Sequence, residues 1–266
     1  SFIFSFLSIF VACNSTKNRK IMSQSIKTVY APYESQGLKF SSYVAYDSAD
    51  NNPRPVVMIV HEWWGLNDYI KSRARQLAEL GYFAVAVDMY GDGKTAQNVQ
   101  EAMNLSGPFY QNAALAKERF DFALSQLGKY NDVADKNKVA AIGYCFGGSM
   151  VLNFAKMGED LKGVVSFHGG LSGLPAEKNK IKGSILVCHG KDDKFVKPAE
   201  IASFKNQMDS VGADYSFKEY SGATHAFSNP DATEWGKKFN IPIAYNASAD
   251  SSSWDEMKKF FKKIFK

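Results

Sequence analysis

The chain has 266 residues, 45% hydrophobic and 22% charged, a globular composition that excludes a disordered or fibrous protein. A core at this length buries roughly 70–75% of the unfolded chain's surface, so no disulfide or metal staple is required. The formal charge of +5 is local, because Lys258, Lys259, Lys262, Lys263 and Lys266 crowd the last nine positions, and a nucleic-acid partner is not expected.

Residues 1–12 are uncharged and largely apolar, and Cys13 and a polar run to Lys20 follow. Twelve residues fall short of the about 20 needed to span a bilayer and fit the core of a secretory signal. Ala12 before Cys13 resembles a bacterial lipoprotein cleavage site. Residues 1–24 are therefore read as a leader and tether, with a lipid anchor at Cys13 and a periplasmic or membrane-anchored address. A start at Met22 is the alternative, which would leave the protein cytoplasmic. Residues 25–266 show no linker or repeat and read as one domain, expected to be a monomer.

Within it, Val29 to Tyr33 and Lys39 to Tyr46 read as extended segments around the turn residues Gln36-Gly37. Pro55 to Val60 is a continuous apolar run, the mark of a strand covered on both faces. Asp68 to Leu80 has Ile70, Ala74, Leu77 and Leu80 at helical spacing and Gly81 as its stop. Further strands are predicted at Phe83–Val87, Val139–Ile142, Gly163–Phe167, Ser184–Cys188 and Tyr215–Tyr220. Helices are predicted near 96–105 and 111–127 and at Gly147–Lys156, Pro198–Met208 and Trp254–Phe265. The last has Trp254, Met257, Phe261 and Ile264 on one side and lysines on the other, and is expected to dock on the domain. This alternation predicts an α/β fold, a mostly parallel central sheet with helices on both faces.

The chemistry concentrates at Gly143-Tyr-Cys-Phe-Gly-Gly148, between a predicted strand and a predicted helix. This is the G-x-nucleophile-x-G pattern of a nucleophile elbow, with Cys145 where many such turns carry Ser. A sharp turn strains the nucleophile's backbone, and small neighbours two positions away relieve the crowding. The turn also sets the sulfur at a helix N-terminus and aims the Phe146 N–H at the place where an oxyanion would form. A nucleophile needs a base, and the base an orienting carboxylate. In elbow folds these follow in the order nucleophile, acid, histidine, at later strand ends. Asp192 and Asp193 follow the strand ending near Cys188, and His225 follows the strand ending at Tyr220. The structural alternatives are a buried cysteine in a Gly-rich turn and a surface histidine. His61-Glu-Trp-Trp-Gly65 is not a zinc motif, since H-E-x-x-H needs a second histidine at position 65, and no metal is called.

These residues resemble the dienelactone hydrolase (carboxymethylenebutenolidase-like) family, a branch of the α/β-hydrolases with a cysteine nucleophile. The markers are Val60-His-Glu-Trp-Trp-Gly-Leu66, Asp88-Met-Tyr90, the elbow, Gly190-Lys-Asp-Asp-Lys-Phe-Val196 and Thr224-His-Ala-Phe227. The resemblance runs from about residue 35 to the C-terminus. It implies a triad of Cys145, Asp193 and His225, with Asp193 preferred over Asp192 by its spacing to Val196. It also implies supporting roles for Glu62, a carboxylate that meets the resting thiol, and for the Trp63 N–H as second oxyanion donor beside Phe146. Family members that open dienelactone hold its carboxylate with two arginines, and this chain has Gly91-Asp92 and Asn229 at those places. Neither replaces a bidentate guanidinium. The pocket is expected to be lined by Trp63, Trp64, Tyr90 and Phe227, suiting an apolar or aromatic ester or lactone; the structural alternative is that these aromatics belong to the core. The expected activity is hydrolysis of a small ester or lactone through an acyl-thioester, with no cofactor. The rival readings are a catalytically silent binding protein on the same fold and a redox protein using Cys145 and Cys188.

Overall fold

The computed structural model describes residues 25–266. The expected leader and lipid anchor at Cys13 fall outside the described residues. Eight strands form one sheet: β1 (Ile26–Ser35), β2 (Leu38–Asp47), β3 (Arg54–Val60), β4 (Phe83–Val87), β5 (Ala134–Tyr144), β6 (Gly163–Phe167), β7 (Ser184–Gly190) and β8 (Tyr215–Tyr220), in the order β1-β2-β4-β3-β5-β6-β7-β8. β1 and β2 form an antiparallel hairpin closed by Gln36 and Gly37, and β2 meets β4 antiparallel. Every other pairing is parallel.

β3 shows why such a sequence makes a central strand. Val56, Met58 and Val60 enter one core and Val57 and Ile59 the other, the period-2 alternation of a strand buried on both faces. Burying side chains of this size contributes about 1.5–3 kcal/mol each. Helices α1 (Asp68–Glu79) and α7 (Ala247–Ile264) cover one face; α3 (Ala113–Ser125), α4 (Phe146–Lys156) and α5 (Pro198–Val211) cover the other. Helix α2 (Val99–Gln111) closes over the strand ends, and α6 (Ala232–Phe239) follows the loop after β8.

Two features depart from the sequence reading. Helix α6 was not anticipated, because its eight residues earn their place by packing Trp235 and Phe239 on Trp64, with ring centroids 4.8 and 5.5 Å apart. Helix α7 begins at Ala247 rather than Trp254. Asn246 caps it, accepting the Ala249 N–H at 3.0 Å, which carries the helix through Ser251, Ser252 and Ser253 despite their modest propensity. The lysine-bearing side faces water while Met257 and Phe261 are fully buried. Among the described residues no helix is long and apolar enough to cross a membrane.

The sheet reverses its winding at β3. The chain steps from β3 outward to β4, then returns to place β5 on the other side, with Val60 opposite Gly143. Such a switch point leaves a crevice at the carboxyl ends of the two strands, where open α/β sheets bind ligands.

Candidate active site

Cys145 stands at that crevice, on the bend between β5 and α4. Its φ of +53° and ψ of −112° lie outside the regions favoured by L-residues. The strain is held by close packing. A Cβ on Gly143 would overlap the Gly147 carbonyl, and one on Gly147 would run into the Val60 carbonyl. Only glycine lets the elbow lie this tightly against β3. The Gly147 N–H donates to the His61 carbonyl at 3.1 Å, tying the turn to the end of β3. The Cys145 N–H donates to the Phe167 carbonyl at 3.0 Å and lies 3.1 Å from His168 Nδ1.

The structure brings Cys145, His225 and Asp193 together. His225 Nε2 lies 3.1 Å from Cys145 Sγ, and Nδ1 donates to Asp193 Oδ2 at 2.8 Å. Asp193 Oδ1 accepts the Phe195 N–H at 2.8 Å. Asp193 is buried and the neighbouring Asp192 is exposed. Burial opposes a charge on Asp193, yet the bond and charge of His225 hold its carboxyl below the usual carboxylate range. Burial likewise opposes an imidazolium at His225, but the charge of Cys145 and the bond to Asp193 outweigh it and raise this histidine well above its ordinary value.

The other three histidines go the opposite way. His61 donates from Nδ1 to the Glu62 carbonyl at 2.5 Å, and burial pushes it down to about 4. His168 takes the Cys145 amide on Nδ1, gives Nε2–H to Ser228 Oγ at 2.7 Å, and is driven well below its ordinary value by burial. His189 is lowered too, again mainly by burial. Behind the site, Arg73 donates to the Ser228 carbonyl at 2.7 Å, pairs with Asp250 of α7, and lies 5.1 Å from the Trp254 ring. Sequence reasoning did not single out Arg73 or His168; a charged or titratable residue in the middle of an apolar pattern is their only signal.

Glu62 is fully buried beside the crevice. Its Oε2 accepts the Asn229 Nδ2–H at 2.6 Å. Burial pushes its carboxyl up to about 7, against the pull of the Asn229 bond and of the charges on His225 and Arg73.

The cavity, about 400 Å³, opens over Cys145. Glu62, Trp63, Trp64 and His225 reach it as expected. Met103, Ser106, Gly107 and Tyr110 of α2, Phe195, Val196 and Glu200 were not anticipated, since only the folded chain places α2 and the start of α5 over Cys145. Two expected pocket residues are corrected. Phe227 is fully buried behind His225, its ring 5.1 Å from His168 and 5.5 Å from Tyr220. Tyr90 faces His61 at 4.6 Å and donates to the Trp63 carbonyl at 2.9 Å. Both support the wall from the core instead of lining it. Trp64, though it borders the cavity, is buried and packs on Trp235 and Phe239.

Cys188 is buried in the core, where burial pushes its thiol up to about 12 and Tyr220 donates to its sulfur at 3.5 Å. It shares no disulfide with Cys145. No cluster of metal-ligating side chains occurs among the described residues.

Comparison with known proteins agrees with this architecture. The chain is 29% identical to Protein usf of Aquifex pyrophilus over 239 residues, covering 86% of this chain and 96% of that one. It is 27% identical to a Saccharolobus solfataricus protein provisionally named carboxymethylenebutenolidase, over 88% and 98% of the two chains. A crystal structure of a dienelactone hydrolase-like promiscuous phosphotriesterase from metagenomic libraries superposes with a TM-score of 0.83 at 33% identity, over 90% of this chain and 98% of that one. The model of the dienelactone hydrolase family matches residues 40–265. With the switch-point crevice, the elbow and this match over most of its length, the chain belongs to the dienelactone hydrolase family of α/β-hydrolases and is by class a carboxylic ester or lactone hydrolase.

Proposed function

We propose that the protein hydrolyses a small apolar or aromatic ester or lactone through Cys145, His225 and Asp193, by way of an acyl-thioester. One observation carries this reading: His225 stands between Cys145 Sγ at 3.1 Å and Asp193 Oδ2 at 2.8 Å. The sulfur, its proton passed to His225, attacks the carbonyl carbon, and the C=O electron pair moves onto oxygen. The N–H groups of Phe146 and Trp63 meet that oxygen. Phe146 opens α4, where first-turn N–H groups have no intrahelical acceptor. Such a donor is worth about 3–4 kcal/mol in related acyl-transfer sites.

The intermediate collapses as the leaving alkoxide takes the proton from His225, leaving the thioester on Cys145. His225 then removes a proton from water, whose oxygen attacks the thioester. The acid departs and the sulfur is restored. Asp193 keeps Nδ1 protonated and the ring aligned throughout. In these steps His225 carries the protons between sulfur, leaving group and water.

The test is a panel of aryl esters and lactones with mass detection of an acyl adduct on Cys145 in a single turnover. A neutral phosphotriester, the substrate class in the name of the metagenomic relative, belongs in the panel. Rates for Cys145→Ala equal to wild type would favour a silent binding protein on this fold.

A further inference from the structure

The cavity over Cys145 is bordered by two acidic side chains, Glu62 and Glu200, and by no lysine or arginine. Apart from Cys145, His225 and two glycines, the rest of its wall is aromatic, aliphatic or carries hydroxyls. Glu200 stands in the first turn of α5, half-buried, and its position is fixed from outside the helix. Its Oε1 accepts the Leu171 N–H at 2.7 Å and the Ser172 N–H at 2.8 Å. Two amide donors on one oxygen clamp the carboxylate against the loop after β6, in the wall that also contains Gly170 and Ser172. A group held by two backbone bonds does not readily swing away when a ligand enters, so the carboxylate keeps its place in the wall.

A charge in a partly desolvated cavity acts more strongly than one in bulk water. A carboxylate on a substrate would meet Glu200 with no lysine or arginine in the wall to receive it, and the ring nitrogens of His225 are already engaged by Asp193 and Cys145. Lys191, Lys194 and Lys197 lie nearby in sequence, but they are exposed and outside the lining. Charges of that kind are screened over about 8–10 Å in physiological salt.

We propose that this cavity selects substrates by charge, accepting neutral or cationic acyl groups and rejecting anionic ones, with Glu200 as the specificity-determining residue. The proposal rests on the reading of Cys145 as the acyl-accepting nucleophile and names the substrate class of that same site.

The experiment compares three p-nitrophenyl esters of matched length: the butyrate, the 4-(trimethylammonio)butyrate and the hemisuccinate. Each is assayed with wild type, Glu200→Gln and Cys145→Ala. For wild type, kcat/KM for the neutral and cationic esters is expected to exceed that of the hemisuccinate at least ten-fold. Glutamine keeps an oxygen for the Leu171 and Ser172 amides, and the cationic-to-anionic ratio in this variant is expected to shrink several-fold. Wild type turning over the hemisuccinate as fast as the butyrate would overturn the proposal, and this comparison needs no variant to fold. An unchanged ratio in Glu200→Gln would overturn the assignment to Glu200. If Cys145→Ala abolishes turnover of all three esters while the anionic one keeps pace in wild type, the charge proposal alone falls. If Cys145→Ala hydrolyses them as wild type does, the nucleophile assignment falls and takes the charge proposal with it.

Discussion

Asn229 Nδ2 donates to Glu62 Oε2 at 2.6 Å, and this one bond is the direct side-chain partner of a buried carboxylate that shares the cavity with Cys145. An amide donor brings no charge, so burial wins and the Glu62 carboxyl rises to about 7. Its ordinary value is 4.5. With the folded value above the unfolded one, the buried anion costs stability fully above about pH 7, and the cost fades as pH falls toward 4.5. Glu62→Gln should therefore raise stability at pH 8 more than at pH 5, by an amount on the order of 3 kcal/mol at most, seen as a larger rise in Tm. Thermal melts across that range check it, and an equal shift at both pH values would contradict it.

Removing the donor is the converse case. Asn229→Ala leaves the Glu62 oxygen buried without its partner, a loss of about 1–3 kcal/mol. Chemical denaturation should show a lower midpoint at pH 8 with an unchanged slope. In the double variant with Glu62→Gln the loss should be smaller, because a neutral amide tolerates solitude better than a carboxylate.

Cys145→Ala should reduce kcat/KM for an aryl ester by at least ~10³-fold, and His225→Ala by a similar factor. Asp193→Asn should lose about 10²–10⁴-fold through the wrong tautomer of His225. Because these residues act as one unit, the double variant Cys145→Ala/His225→Ala should be little worse than either single one. Full additivity in steady-state kinetics would argue against a joint role.

Among the four histidines only His225 is held above its ordinary value, while His61, His168 and His189 are held below theirs. Nitrogen-detected NMR at pH 7.5 should show one imidazolium and three neutral rings. Cys145→Ala removes a major cause of the elevation and should return His225 toward neutrality at that pH. A raised folded value contributes stability that is fully present below pH 6.5 and is lost as pH climbs through the folded value. The pair therefore weakens on the alkaline side.

The elbow glycines offer a steric test. Gly147→Ala drives a methyl into the Val60 carbonyl, and overpacking of this kind costs about 1–3 kcal/mol or more. Gly128 has open space around its missing Cβ and no positive φ, so Gly128→Ala should be neutral or slightly stabilising. Urea midpoints for the two variants should differ clearly in that order.

Much of this was legible in the chain because it is written locally. The apolar run Val56–Val60 can only be a two-sided strand, and Gly143-Tyr-Cys-Phe-Gly147 can only turn sharply. The order of Cys145, Asp193 and His225 follows from strand ends. What the sequence withheld is tertiary. Phe227 and Phe195 are both aromatic and both near His225, yet Phe227 is buried behind it and Phe195 borders the cavity. Residue type does not tell which side of the imidazole a ring occupies. Arg73 sits in an ordinary amphipathic helix, and its link to Ser228 and Asp250 joins residues more than 150 positions apart. Helix α6 is too short and too lysine-rich to announce itself, and Trp64 calls it into place.

The link from Asp250 through Arg73 to Ser228 also sets a timetable. Ser228 lies three residues past His225, and Asp250 of α7 is synthesised after both. The imidazole loop is thus braced by residues synthesised after it. A nascent chain that already holds Cys145 and His225 lacks this brace on the histidine loop until α7 has docked.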